Sequence, residues 1–142
     1  MIDLLRAAAA RVPFTTHLLR ADLPDPGDPA AYPYVVLWAD LGVPFSGDGR
    51  DSGSLGDRAA GLHLTIRATY VGLSPAAVAI VASKTRAALD RQALASEGWH
   101  CDRLRVFPVL GIDSDESVQL QHGHPYYAVD EYRVIATKVD PA

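Results

Sequence analysis

Between Gly61 and Gln92 the chain reads GLHLTIRATYVGLSPAAVAIVASKTRAALDRQ, and its hydrophobic period changes partway from two to about 3.6 residues. Leu62, Leu64, Ile66, Ala68 and Tyr70 alternate with His63, Thr65, Arg67 and Thr69, the pattern of a half-buried strand. Gly72 breaks the run. Ser74 suits a helix N-cap, and Pro75 suits the first helical position, where a missing N–H costs nothing. From there Val78, Val81, Ala82, Thr85, Ala88 and Leu89 recur at helical spacing, with Lys84, Arg86, Asp90 and Arg91 assigned to a wet face. Each large strand side chain buried against such a helix contributes roughly 1.5–3 kcal/mol before ordering entropy. The unit is scaffold, and the remaining segments must pack around it.

Those segments are short. Residues 2–12 predict an amphipathic helix with Leu4, Leu5, Ala8 and Val12 on one side, ended by Pro13. A short strand is predicted over 15–20. Pro24, Pro26, Pro29 and Pro33 then enforce an extended path whose Asp22, Asp25 and Asp28 read as a solvated loop. YVVLWADL, from Tyr34, is a strand by its Val, Leu, Trp and Tyr content. Residues 42–60 hold five glycines in nineteen positions and join two strands expected to be antiparallel neighbours. A loop that long predicts a protruding arm. Asp102–Leu110 is a strand with an edge or bulge at Pro108, and Tyr126–Val139 is the last strand, with a bulge expected at Asp130 and Glu131, where the alternation falters. The expected architecture is a single α+β domain over 1–142: a mostly antiparallel, mixed sheet with two helices on one face and a long Gly-rich arm.

Composition narrows the function classes. A chain of 142 residues can bury a substantial core, and 49% hydrophobic with 21% charged residues is a globular balance. A formal net charge of −4 argues against a nucleic-acid binder, which needs clustered Lys and Arg. Cys101 is the sole cysteine, so no intrachain disulfide forms, and a reducing compartment is expected. No apolar run has the length of a secretory signal or a membrane span, which predicts a soluble, cytoplasmic product.

No catalytic or metal pattern is convincing. His122 and His124, with Cys101, His100 or Asp113, match no compact zinc spacing. His100 neighbours Cys101 on a strand and so faces the other way, leaving a structural thiol. Asp48, Asp51 and Asp57 suggest a calcium loop, but Arg50 and Ala59 stand where the third and twelfth ligands belong. Ser54 lacks the glycine spacing of a nucleophile elbow. Asp113, Asp115 and Glu116 read as a solvated turn. Arg103 and Arg105 share a strand face that reads first as plain surface, with an acidic partner as the alternative. No enzyme, cofactor or metal is expected.

The order of parts carries a resemblance. The helix DLLRAAAARV, the strand YPYVVLWADL, the Gly/Asp arm, LHLTIRATYVG, SPAAVAIVASKTRAAL, RLRVFPVLGID and the closing YYAVDEYRVIAT together resemble a tail terminator, or tail completion protein, of long-tailed bacteriophages. The resemblance spans nearly the whole chain and implies a structural virion protein. Such proteins form a hexameric ring that caps the head-proximal end of the tail tube, stops polymerisation and joins the tail to a head-side connector or stopper. DNA passes through the ring without specific binding, no membrane is involved, and assembly takes place in the host cytoplasm. The arm is then the expected contact with a neighbour or the tube, with Phe45 and Leu55 as apolar anchors and Asp48, Arg50, Asp51, Asp57 and Arg58 pairing across it. The alternatives are another neck component, such as a head–tail connector or stopper, or a small metal-binding enzyme using His122, His124 and Cys101.

Overall fold

The computed structural model describes residues 2–40, 43–45, 61–121 and 123–139. In chain order the elements are helix α1 (Ile2–Arg11), strand β1 (Thr15–Leu18), a single 3-10 turn (Pro29–Ala31), β2 (Tyr34–Ala39), β3 (Val43–Phe45), β4 (Gly61–Gly72), α2 (Pro75–Leu89), β5 (Trp99–Cys101), β6 (Arg105–Ser114) and β7 (Tyr126–Lys138). The fold is a single α+β domain. Among the described residues seven strands form one mixed sheet in which only the β1–β2 pair is parallel.

The long strands β4 and β7 form its axis. Their register is unbroken from Gly61↔Thr137 to Gly72↔Tyr126. β2 and β3 run one after the other along the outer side of β4, and β5 and β6 do the same along β7. β1 closes the sheet beyond β2. The predicted strand-to-helix unit forms as expected: Ser74 accepts a hydrogen bond from the Ala77 amide (3.1 Å), and Pro75 opens α2. Gly72 lets α2 start close to the strand, because a Cβ there would sit 3.1 Å from the Ala77 Cβ and 3.3 Å from the Val78 amide nitrogen and press on the first turn. The helix ends at Leu89, capped by Asp90, three residues before Gln92.

Alternation sorts the sheet into two faces. Val35, Leu37, Leu64, Ile66, Ala68, Tyr70, Tyr132, Val134 and Ala136 point towards the helices and pack with Leu4, Leu5 and Ala8 of α1 and Val78, Val81 and Leu89 of α2. Both helices therefore cover one face. The opposite face holds a smaller cluster, Tyr34, Val36 and Val71, covered by Leu23 and Tyr32 from the proline-rich segment. That segment is more ordered than a solvated loop: Asp25 accepts from the Gly27 amide (3.0 Å), Asp28 from the Ala30 amide (2.9 Å), and the Tyr32 hydroxyl donates to the Pro26 carbonyl (3.0 Å).

Two expectations change. The bulge is not in β7 but in β6, whose register shifts between Pro108 and Leu110 and again between Leu110 and Asp113. Pro108 has no N–H to give the ladder. Asp130 leaves β7 undisturbed because its carboxylate is neutralised in place. Arg86, assigned to a wet face, turns inward and grips Asp130 with Nε (2.6 Å) and a terminal nitrogen (2.7 Å). Of the predicted arm, Val43–Phe45 pairs with Gly61–His63 as β3. The rest of it, including Asp48, Arg50, Asp51, Leu55, Asp57 and Arg58, lies outside the described residues.

Candidate functional site

Three polar arrangements stand out, and only one of them is buried. Asp130 is 2% exposed, and around it the Tyr70 hydroxyl donates to Oδ2 (2.7 Å) while the Tyr132 hydroxyl lies 2.7 Å from that of Tyr70. With Tyr70 donating to the carboxylate, Tyr132 donates to Tyr70, and Arg86 closes the chain from α2. Every member is satisfied, which is the condition under which a buried polar network rigidifies a core. Burial pushes both tyrosine hydroxyls well above their ordinary range. The network fastens α2 to β4 and β7, a structural role.

A pH dependence follows. The folded protein holds the Tyr70 and Tyr132 protons more tightly than the unfolded chain does. Stability is therefore full below about pH 10, the ordinary tyrosine value, and falls as pH rises above it. Each such group removes about 1.4 kcal/mol per pH unit above that point until its folded-state value is reached. Urea midpoints measured from pH 8 to 11 should be flat and then decline, and Tyr70→Phe should shallow the decline. An unchanged midpoint across that range would contradict the assignment.

The second arrangement crosses the face of the sheet away from the helices. Arg67 stacks over Trp38 at 4.7 Å and bonds Glu131 through Nε at 3.1 Å; Arg133 reaches the same carboxylate at 3.3 Å and stacks over Phe107 at 4.1 Å. The cross-strand pairs Trp38↔Arg67, Arg67↔Glu131 and Phe107↔Glu131 bring these side chains side by side. The result is a ladder of aromatic, cation, anion, cation and aromatic groups spanning β2 to β6.

A groove lies at each end of this ladder. One, of about 580 Å³, is lined by Tyr32, Tyr34, Trp38 and Tyr127 with Asp115 at its side. Burial raises the Tyr34 hydroxyl to about 12. The other, of about 610 Å³, is lined by Arg103, Arg105, Phe107, Arg133 and Ile135, with Asp102 as its acid. Arg105 sits directly opposite Arg133 across the β6–β7 pair, an unfavourable like-charge placement. Arg133 is held by Glu131 and Phe107, whereas the side chains of Arg103 and Arg105 make no hydrogen bond or ion pair among the described residues. Arg103 and Arg105 do line one groove, although Arg103 precedes β6, which begins at Arg105. Arg133 was missed; its place in the period-two run of β7 was readable, but its cross-strand neighbour was not.

The third arrangement is the outer edge of β6. Its first half is closed, because the Val106 amide donates to the Asp90 carboxylate (3.1 Å) and Pro108 has no amide hydrogen. No described strand pairs with Val109–Asp113 on that side, and Val109, Leu110 and Ile112 are 53%, 40% and 45% exposed.

The other predicted residues are dispersed. Cys101 is buried opposite Ala136, near one end of β7, and burial raises its thiol pKa. His124 precedes the other end of β7, with Nδ1 2.6 Å from the Val118 carbonyl. About ten strand residues separate the two, on the order of 30 Å, so they share no site. His122 lies outside the described residues. His100 sits 3.8 Å from Asp102. Asp113 and Asp115 accept from the amides of Ser114 and Ser117, which makes them turn caps. No group of three metal-ligating side chains converges among the described residues. No protein-family model matches the chain, and neither does any curated protein.

Proposed function

We propose that the protein is a tail terminator of a long-tailed bacteriophage, a ring of copies that caps the head-proximal end of the tail tube and presents the joining surface for the head-side connector. The observation that carries this reading is the outer edge of β6. A strand edge that no other described strand pairs, beside exposed Val109, Leu110 and Ile112, invites another chain, and a monomer normally blunts such an edge. Asp90 and Pro108 blunt its first half, and two register shifts between Pro108 and Asp113 bend the rest, which keeps its apolar side chains exposed. The sheet also has unlike edges, the short β1 at one side and β6 at the other, which suits head-to-tail contacts that close by rotation. The helices α1 and α2 and the strands β2, β4, β6 and β7 fall on the segments that carry the resemblance in sequence.

Arrest of tube growth then follows from shape. One ring surface matches the stacking surface of the tube subunit, and the other lacks it. The arm, residues 42–60, is the proposed contact with the neighbour or the tube. A head-side stopper or connector is the second reading, because the same β6 edge would serve its ring. Labelled protein on isolated tails, before head attachment, separates the two, since a terminator travels with the tail. The decisive test is disruption of the gene followed by electron microscopy. Unattached tails of irregular, often excessive length should appear beside DNA-filled heads. Uniform tails joined to capsids would refute the reading.

A further inference from the structure

The basic groove and the proline-rich segment are unlike in charge and lie over opposite ends of β4 and β7, the segment near Val71 and Tyr127 and the groove along residues 63–65 and 133–135. We infer that the segment carrying Asp22, Asp25 and Asp28 of one copy docks into the groove lined by Arg103, Arg105 and Arg133 of the next. The inference rests on the ring reading above and names the contact that would build it.

Charge is the first argument. In a chain of net charge −4, three arginines face a single groove, and two of them have no partner among the described residues. Arg105 and Arg133 oppose each other directly, so an anion between them relieves a repulsion the isolated chain must carry. Guanidinium groups favour carboxylates, which they bind bidentately. Residues 21–33 contain three aspartates and no lysine or arginine, and all three aspartates are exposed. The oxygens that cap the Gly27 and Ala30 amides leave the second oxygens of Asp25 and Asp28 for an incoming guanidinium, and the Asp22 side chain has no partner among the described residues.

Preorganisation is the second argument. Four prolines, two aspartate-capped turns and the Tyr32–Pro26 hydrogen bond hold the segment in one shape, so little ordering cost is met on docking. In the groove Arg133 is held in place, clamped between Glu131 and Phe107. A protein ligand also explains why the groove adjoins exposed apolar groups. Ile135 lines it, and Leu110 and Ile112 continue along β6. A phosphodiester backbone has no use for these, and the acidic chain as a whole repels one.

Placement is the third. The segment packs over one end of the sheet, on Tyr34, Val36 and Val71, while the groove lies over the far end of β4 and β7 beside β6. Each copy thus has a free segment and a free groove after one contact forms, the condition for a heterologous, ring-closing interface.

The test is a charge swap followed by sedimentation. At about 0.1 mM protein and 10 mM salt, where the screening length is about 30 Å, the unmodified chain should associate. Arg103→Glu with Arg105→Glu, and separately Asp22→Arg with Asp25→Arg, should each weaken association about tenfold or more. All four substitutions in one chain should restore it. Circular dichroism of each variant confirms the fold. Three results would overturn the inference: an unmodified chain that stays monomeric under these conditions, groove variants that associate normally, or a swap that restores nothing. Restored association with two-fold dimers would keep the contact and refute the ring. A closed ring indifferent to all four substitutions would do the reverse.

Discussion

Arg86→Ala should cost about 3 kcal/mol of folding stability, near the lower end of what breaking a buried ion pair costs. Asp130 is 2% exposed, and Arg86 supplies both of its charge-assisted hydrogen bonds, at 2.6 and 2.7 Å. Removing the guanidinium leaves a carboxylate inside the sheet–helix layer with only the Tyr70 hydroxyl to answer it. The cost stays at the low end because the Arg86 side chain is 43% exposed, so water can enter from its side and solvate the carboxylate in part. Asp130→Ala should be milder for the arginine, which can turn to solvent, but it takes the acceptor from the Tyr70 hydroxyl. The double variant should therefore cost clearly less than the sum of the singles, the mark of two side chains in one network. Urea unfolding of the four proteins measures this. Additive losses would mean that the pair is not coupled in solution.

Ile66→Ala should be comparably severe, at about 2–5 kcal/mol, through lost transfer energy and the cavity left behind. Ile66 is 1% exposed, in the middle of β4, on the face that packs both helices. Thr65, the preceding residue, points to the other face, and Thr65→Ala should stay within about 1 kcal/mol. The contrast tests the strand register itself, because a one-residue slip exchanges the two faces. Similar losses at both positions in thermal or urea unfolding would place the core elsewhere.

These two residues mark how far the chain could be read from its letters. Ile66 belongs to an alternating run, and periodicity is local: five apolar residues at spacing two can form a half-buried strand without reference to the rest of the chain. The same holds for Leu4, Leu5 and Ala8 in α1, and for the Ser74–Pro75 start of α2. Asp130 and Arg86 show the opposite. Forty-four residues separate them, and each looks polar and wet alone. The faltering alternation at Asp130 was a real signal, but it marked a buried carboxylate rather than a bulge. A sequence does not reveal that a distant arginine will neutralise the charge and let the backbone keep its ladder.

The open-face ladder and the arginine groove divide in the same way. Arg103 and Arg105 were seen to share a face because their spacing is two. Their convergence with Arg133, and the stacking of Arg133 on Phe107, depend on the register of β6 against β7. Pro108 indicated that β6 would be an edge. Which part of that edge stays open was decided by Asp90, from the end of α2, meeting the Val106 amide.

From the amino-acid order alone come the α+β class, the strand–helix unit from Gly61 to Leu89, the two faces of each long strand and the capping residues, because all of these depend on chemistry within a few residues. Tertiary structure alone decided which charges are buried, which cations lack partners and which strand edge faces solvent. Those outcomes depend on side chains brought together across the sheet from distant parts of the chain, and no local pattern encodes their meeting.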